Sequence, residues 1–272
     1  EYAAMGFEYG YSLVHREALV LWEAQFGDFH NVAQPIIDQF LAASEDKWGQ
    51  TSGLTLLLPH GYDGQGPEHS SGRIERFLTL CAEDNMQVAN CTTAAQYFHL
   101  LRRQVRREIR KPLIVFTPKY LLRAKESRSH VSLFEKGSFQ EVLDDLSVTD
   151  PSSVRRIVLC SGKVAYDLMK RRDERQVPAA VVRIEQLYPW PEQQIRAIID
   201  KYENADSLFW VQEEPENMGP WPFTGGRLHN LAPDRVKIGH ANRVESGSPA
   251  SGSALVHAQE LDDLLEEAYA GV

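Results

Sequence analysis

The stretch Leu54–Leu80, LTLLLPHGYDGQGPEHSSGRIERFLTL, decides the fold. Leu54–Leu58 is an apolar run of strand length, and Arg73–Leu80 reads as an amphipathic helix. Between them Gly61, Gly64 and Gly66 permit tight turns and close backbone approach, and His60 and His69 offer acid/base or anion-binding groups. A polar loop that follows a buried strand and precedes a helix is where α/β sheets place ligand sites. The same spacing also describes an ordinary loop whose histidines cap backbone groups. Its glycines do not follow GxGxxG order, and no GxxxxGK occurs, so neither a Rossmann fingerprint nor a Walker loop is supported.

The alternation continues on both sides. Strands are expected at Ala18–Trp22, Gln87–Ala89 and Leu113–Thr117, with helices near 36–44 and 94–107. From Pro118 to Ser153 the pattern weakens into a charged, Ser-rich connection. It resumes with strands at Arg156–Cys160, Ala179–Ile184, Leu208–Gln212 and Val236–Gly239, and helices near 163–172, 191–202 and 257–270. The expectation is an α/β protein of two doubly wound domains, 1–118 and 154–272, joined by a linker at 119–153.

Composition narrows the function classes. With 43% apolar and 25% charged residues the chain is globular, and 29 Lys+Arg against 38 Asp+Glu leave a net charge of −9 that disfavours nucleic acid. No apolar run suggests a membrane span. Cys81, Cys91 and Cys160 form no CxxC pair and suggest neither a disulfide framework nor a zinc site, so a reducing, cytoplasmic setting is expected. No Gly-x-Ser-x-Gly elbow or His-Glu-x-x-His spacing is present. The chain opens Glu-Tyr-Ala-Ala-Met-Gly, as if inside a helix, and is expected to be a fragment or one piece of a split polypeptide.

Three further clusters stand out. Phe26 and Phe29, three apart after a strand, could present a flat face to an aromatic ligand, or belong to the core. Arg102, Arg103, Arg106, Arg107, Arg110 and Lys111 form a basic stripe that fits either an anion or a face paired with the acidic surplus. Trp210–Trp221 mixes aromatics and carboxylates, as an interface or an oriented site would.

Several segments together resemble the C-terminal part of the thiamin-diphosphate-dependent decarboxylase component of the 2-oxoglutarate dehydrogenase complex. They are EYAAMGFEYGYS at 1–12, LWEAQFGDF at 21–29, LLPHGYDGQGPEHSSGRIERFL at 57–78, KPLIVFTPK at 111–119, RIEQLYPWP at 183–191 and WVQEEPENMGPW at 210–221. They keep their order over most of the chain, and their wording is similar to actinobacterial-type members. The resemblance implies a transketolase-like pyrimidine-binding domain followed by a transketolase C-terminal-like domain.

It also implies roles. Glu1 is similar to the glutamate that hydrogen-bonds the aminopyrimidine ring nitrogen and promotes the imino tautomer. Phe26 and Phe29 match the aromatic pair around the pyrimidine, with Phe29 stacking. His69, in Gly-Pro-Glu-His, matches a histidine for substrate binding and proton transfer, and His60 is a weaker candidate for the same pocket. The reaction implied is decarboxylation of 2-oxoglutarate with succinyl transfer to lipoamide. A 2-oxoadipate decarboxylase, a carboligase on the same scaffold and a non-catalytic assembly or regulatory module are the rivals.

In this family Mg2+ and the diphosphate are held through a Gly-Asp-Gly motif in a separate domain, and no Gly-Asp-Gly occurs in the chain. No metal ligand is therefore assigned to these residues. The implied partners are a diphosphate-binding domain in another segment or chain, a second protomer in a homodimer or higher assembly, and a lipoyl-bearing succinyltransferase component. The chain is expected to be inactive alone.

Overall fold

A computed structural model describes residues 1–272. The first half runs α1 (Tyr2–Val14), β1 (Leu21–Glu23), α2 (Gln34–Ile36), α3 (Ser44–Trp48), β2 (Thr55–Pro59), α4 (Pro67–Ser70), α5 (Ile74–Leu80), β3 (Gln87–Asn90), α6 (Ala94–Arg106) and β4 (Leu113–Thr117). A 3-10 turn at Gly27–Ala33 leads into α2, and a π-helical turn at Ile37–Leu41 follows it. The second half runs α7 (Val131–Lys136), β5 (Val142–Leu143), β6 (Arg156–Cys160), α8 (Val164–Arg175), β7 (Ala179–Ile184), β8 (Gln186–Tyr188), α9 (Glu192–Lys201), β9 (Ser207–Pro215), α10 (Trp221–Leu231), β10 (Lys237–Arg243) and α11 (Ala254–Tyr269).

Two five-stranded sheets result, ordered β1-β2-β4-β3-β8 and β10-β9-β6-β7-β5. Each has four parallel strands and one antiparallel edge strand. The mixed α/β class agrees with expectation. Strands β2 and β6 are buried along their whole length, the continuous apolar reading of a sheet covered on both faces.

The edge strand β8 ties the halves together. Immediately after β7 the chain leaves the second sheet, and β8 pairs with β3 in the first. The crossing residue, Glu185, is fully buried; its carboxylate accepts the Thr92 N–H at 2.9 Å and the Thr92 hydroxyl at 2.5 Å. The connection also contributes β5 to the second sheet and α7 beside α6. The main apolar core is continuous across both sheets, joining Leu56, Leu58, Val88 and Phe116 to Ile157, Val182 and Trp210. No helix is long and apolar enough to cross a membrane.

Much of the basic stripe is engaged by the fold. Arg103 reaches Glu141 at 3.0 Å and the Gln87 and Gln186 side chains, Lys111 reaches Glu45 at 2.5 Å, and Arg110 lies 3.9 Å from Glu17.

Candidate active site

Strand order builds the site. β1, β2 and β4 are adjacent and parallel, so the segments leaving their carboxyl ends emerge side by side. These are Ala24–Phe29, His60–Ser70 and Pro118–Lys119. The first two are packed to backbone contact at Gly27. A Cβ there would lie 2.1 Å from the Pro59 carbonyl oxygen and 2.9 Å from Gly72 Cα, so only hydrogen fits.

This approach brings three of the expected residues together. The Phe26 ring meets Phe29 edge-to-face at 4.7 Å between centroids and His69 edge-to-face at 4.5 Å. Lys119, to which the sequence assigned no role, places Nζ 4.6 Å from the Phe26 centroid. All four side chains are half-buried. The cluster therefore offers aromatic surface, an imidazole and a cation at one sheet edge.

Glu1 stands exposed at the head of α1. Its carbonyl accepts the Met5 N–H at 2.9 Å, but its carboxylate makes no capping hydrogen bond. Met5, Tyr9 and Ser12 form the buried face of α1, which lies on the 3-10 turn carrying Phe29 and on α2. The carboxylate is thus unclaimed by the fold, and no hydrogen bond or ion pair links it to the aromatic cluster.

His60 occupies a different position from His69. It is 1% exposed, with Nδ1 accepting the Gly72 N–H at 3.0 Å and Nε2 2.8 Å from Glu214 Oε1. An amide can only donate to Nδ1, so the ring proton sits on Nε2 and is donated to Glu214. Burial opposes a charge on this ring and Glu214, Glu213 and Glu75 raise its pKa from 6.5, while the Gly72 N–H, which only an unprotonated Nδ1 can accept, favours the neutral ring. Neither ring nitrogen is free for a substrate.

Glu213 faces the opposite way from the same strand. Its carboxylate lies 3.2 Å from Lys163 Nζ, which is also 3.5 Å from Asp167 and 3.9 Å from Asp63. Burial raises the Glu213 pKa against the pull of Lys163, while Lys163 is raised because Glu213, Asp167 and Asp63 together outweigh its desolvation. These ion pairs fasten the loop after β2 to the second sheet.

A second buried histidine backs the site. His30 donates through Nε2 to the Gly72 carbonyl at 3.0 Å and packs on Phe77. Burial drives its pKa down to about 4, with Arg76 adding to the effect against the opposing Gly72 carbonyl and Asp28. The unfolded chain, with His30 near its ordinary value of 6.5, takes up a proton that the folded chain refuses until about pH 4. Stability is therefore complete above about pH 6.5 and falls as pH drops toward 4. Urea unfolding should show His30 costing about 2 kcal/mol between pH 7.5 and 5. His30→Gln, which can still donate to Gly72, should remove most of that difference; an unchanged pH dependence would assign the loss to other groups.

An aminopyrimidine needs a flat apolar slot and a hydrogen-bonding acid; the half-buried rings supply the first, and the unpaired Glu1 carboxylate, at the head of the helix that packs on the Phe29 turn, is of the type needed for the second. Nothing comparable serves a metal. No group of three or more His, Cys, Asp or Glu side chains is placed to hold one.

Comparison with known proteins gives the site a context. A family model described as 2-oxoglutarate dehydrogenase C-terminal matches residues 128–269, and one described as transketolase, pyrimidine binding domain, matches residues 1–125. The chain is 53% identical over 271 residues to a 2-oxoglutarate dehydrogenase E1 component of Cupriavidus necator, an alignment covering 99% of this chain and 28% of that protein. It is 51% identical over 276 residues to a multifunctional 2-oxoglutarate metabolism enzyme of Mycobacterium sp. (strain JLS), covering 99% of this chain and 22% of the other. To a 2-oxoglutarate dehydrogenase E1/E2 component of Corynebacterium glutamicum it is 49% identical over 271 residues, again covering 99% and 22%. The chain spans about a quarter of the length of these curated relatives.

Proposed function

Because the chain belongs to the family described as 2-oxoglutarate dehydrogenase C-terminal, we propose that it supplies the pyrimidine half of a thiamin-diphosphate site for oxidative decarboxylation of 2-oxoglutarate. The observation that carries this reading is the Phe26–Phe29–His69 cluster at the carboxyl edge of β1 and β2, next to Lys119. The unpaired carboxylate of Glu1 on neighbouring α1 supports it. When bound, thiamin diphosphate supplies the electron sink for the acyl carbanion left by decarboxylation, which no side chain can stabilise.

The residues of the chain divide the remaining work. Glu1 would hydrogen-bond a pyrimidine ring nitrogen, and Phe29, in contact with Phe26, would flank the ring. His69 binds the 2-oxo acid and moves a proton at its imidazole, and the Lys119 ammonium draws the substrate carboxylate toward the same edge. Mg2+ and the diphosphate are held by residues outside these 272, in another segment or protomer of a dimer or larger assembly. Transfer of the resulting succinyl group to lipoamide would take place on a succinyltransferase partner. A relative whose name joins E1 and E2 in one component supports that proximity.

The division of the site is tested by assaying thiamin-diphosphate-dependent oxidation of 2-oxoglutarate with an artificial electron acceptor. Turnover is expected from the full-length enzyme and none from the 272-residue chain alone. Robust turnover by the isolated chain would show that it holds a complete site.

A further inference from the structure

The reading above leaves His60 and Glu214 without a part, although both are almost wholly buried and both bear on the turn that carries His69. The Gly72 peptide, between α4 and α5, is held from two sides: its N–H donates to His60 Nδ1 at 3.0 Å, and its carbonyl accepts from His30 Nε2 at 3.0 Å. His60 in turn donates to Glu214 at 2.8 Å. Glu214 belongs to β9 in the second sheet, whereas His30 lies in the 3-10 turn that follows Phe26. A continuous hydrogen-bonded chain, Glu214–His60–Gly72–His30, therefore runs from the second sheet to the aromatic cluster. The Gly61 N–H adds a bond to the Ser70 carbonyl at 2.8 Å, tying the residue after His60 to the residue after His69.

The three residues are 0% (His30), 1% (His60) and 3% (Glu214) exposed. With no solvent to replace a lost partner, each link has to be made within the protein. Glu214 is itself packed in place: a Cβ on Gly219, which sits at φ +66°, would lie 2.8 Å from Glu214 Cβ.

Resting on the proposed function, we infer that His60 and Glu214 are a positioning pair through which the second sheet sets the placement of His69 and Phe26. The tautomer of His60 decides whether the Gly72 N–H is held. A neutral imidazole has two, and only the one protonated at Nε2 can accept the Gly72 N–H. A carboxylate, an acceptor and never a donor when ionised, selects that tautomer. Without Glu214 the other tautomer turns an N–H against the Gly72 N–H, and the turn shifts. A displacement of about 1 Å at a substrate-positioning group costs as much as ~10²-fold in rate. His60 thus acts on the reaction through the turn and not by touching substrate.

The test uses the full-length enzyme with Glu214→Ala, Glu214→Gln, His60→Gln and the double variant His60→Gln/Glu214→Ala. Steady-state kinetics on 2-oxoglutarate are paired with hydrogen–deuterium exchange of the cofactor-free protein. Glu214→Ala is expected to lower kcat at least ~10-fold with KM changed by less than about twofold. Glu214→Gln, whose amide oxygen still accepts from Nε2, should recover at least half of the lost rate. The double variant should be no slower than His60→Gln, because the two residues act as one unit. Exchange should quicken in peptides covering 26–33 and 66–73 for Glu214→Ala and stay parental for Glu214→Gln. If Glu214→Ala does not fold, Glu214→Asp, an acceptor shorter by one carbon, takes its place.

Unchanged kcat, a raised KM at constant kcat, or a glutamine variant as slow as alanine would overturn the inference. A parent enzyme inactive on 2-oxoglutarate would overturn the functional reading instead, and the exchange comparison would still decide whether Glu214 holds the turn.

Discussion

Glu1→Gln in the full-length enzyme is expected to lower kcat on 2-oxoglutarate by ~10²-fold or more, the range in which positioned acid–base groups act. Glutamine keeps the length and shape of the side chain but cannot donate or receive the proton of a carboxylic acid. The fold should not notice the change. The side chain is exposed and makes no capping hydrogen bond at the head of α1, and the contact that starts the helix is the Glu1 carbonyl to the Met5 N–H. A surface substitution of this kind moves stability by about 0.5 kcal/mol or less. Steady-state kinetics and a thermal melt of the same preparation check both halves. A melt that collapses together with kcat would make Glu1 a structural residue.

The largest expected effect on stability comes from Gly27→Ala, about 3 kcal/mol or more in urea unfolding. A Cβ at 2.1 Å from the Pro59 carbonyl oxygen and 2.9 Å from Gly72 Cα meets backbone on both sides, and backbone cannot rotate away as a side-chain tip can. Overpacking a well-filled interior costs about 1–3 kcal/mol. Both neighbours are pinned here, Pro59 by its pairing with β4 and Gly72 by the two histidines, so the upper end applies. The strain also falls on the turn between Phe26 and Phe29, so residual enzyme should lose activity as well. Gly10→Ala on α1 is the internal control. A Cβ there meets nothing within 4 Å, and alanine should be neutral or stabilising by up to about 1 kcal/mol. Equal losses at both positions would show that the close approach at Gly27 is not what sets the cost.

The parallel strands were legible because sheets covered on both faces write themselves as short apolar runs. β4 and β6 fall at 113–117 and 156–160, where the sequence put them, and β2 at 55–59 is displaced by one residue. Edges were harder. The expected strand 18–22 is Leu21–Glu23, because its pairing with Thr55–Leu57 fixes the ladder later in the chain. β8 and β5 are three and two residues long; β8 exists through a partner in the other half, β3, and β5 through β7, 40 residues further along the chain, and no local pattern announces either. Helix α10, where the sequence suggested none, carries Pro222, Gly225 and Gly226. The proline sits in the first turn, where helices tolerate it, and Gly225 gives room to the Trp221 ring, 3.1 Å from where a Cβ would stand.

The site divides the same way. Phe26, Phe29 and His69 stood out by spacing and loop position and took their roles from the resemblance, and strand order explains why residues 43 apart meet. Glu213 and Glu214 read as part of a polar loop mixture because carboxylates rarely lie inside a strand. Both are buried in β9, and their partners, Lys163 and His60, are 50 and 154 positions away. Lys119 carried no signal at all. Its relevance comes from β4 lying next to β2, so that the chain beyond Thr117 leaves over Phe26.

Glu1 and the Phe26–Phe29–His69 cluster are proposed to form the pyrimidine half of a thiamin-diphosphate site. The most direct measurement is the rate at which the thiazolium C2 proton of the bound cofactor exchanges for deuterium in the full-length enzyme without substrate, read by acid quench and proton NMR. Glu1→Gln is expected to slow this exchange by ~10²-fold or more while the cofactor stays bound. An exchange rate equal to that of the parent enzyme, at full cofactor occupancy, would contradict it.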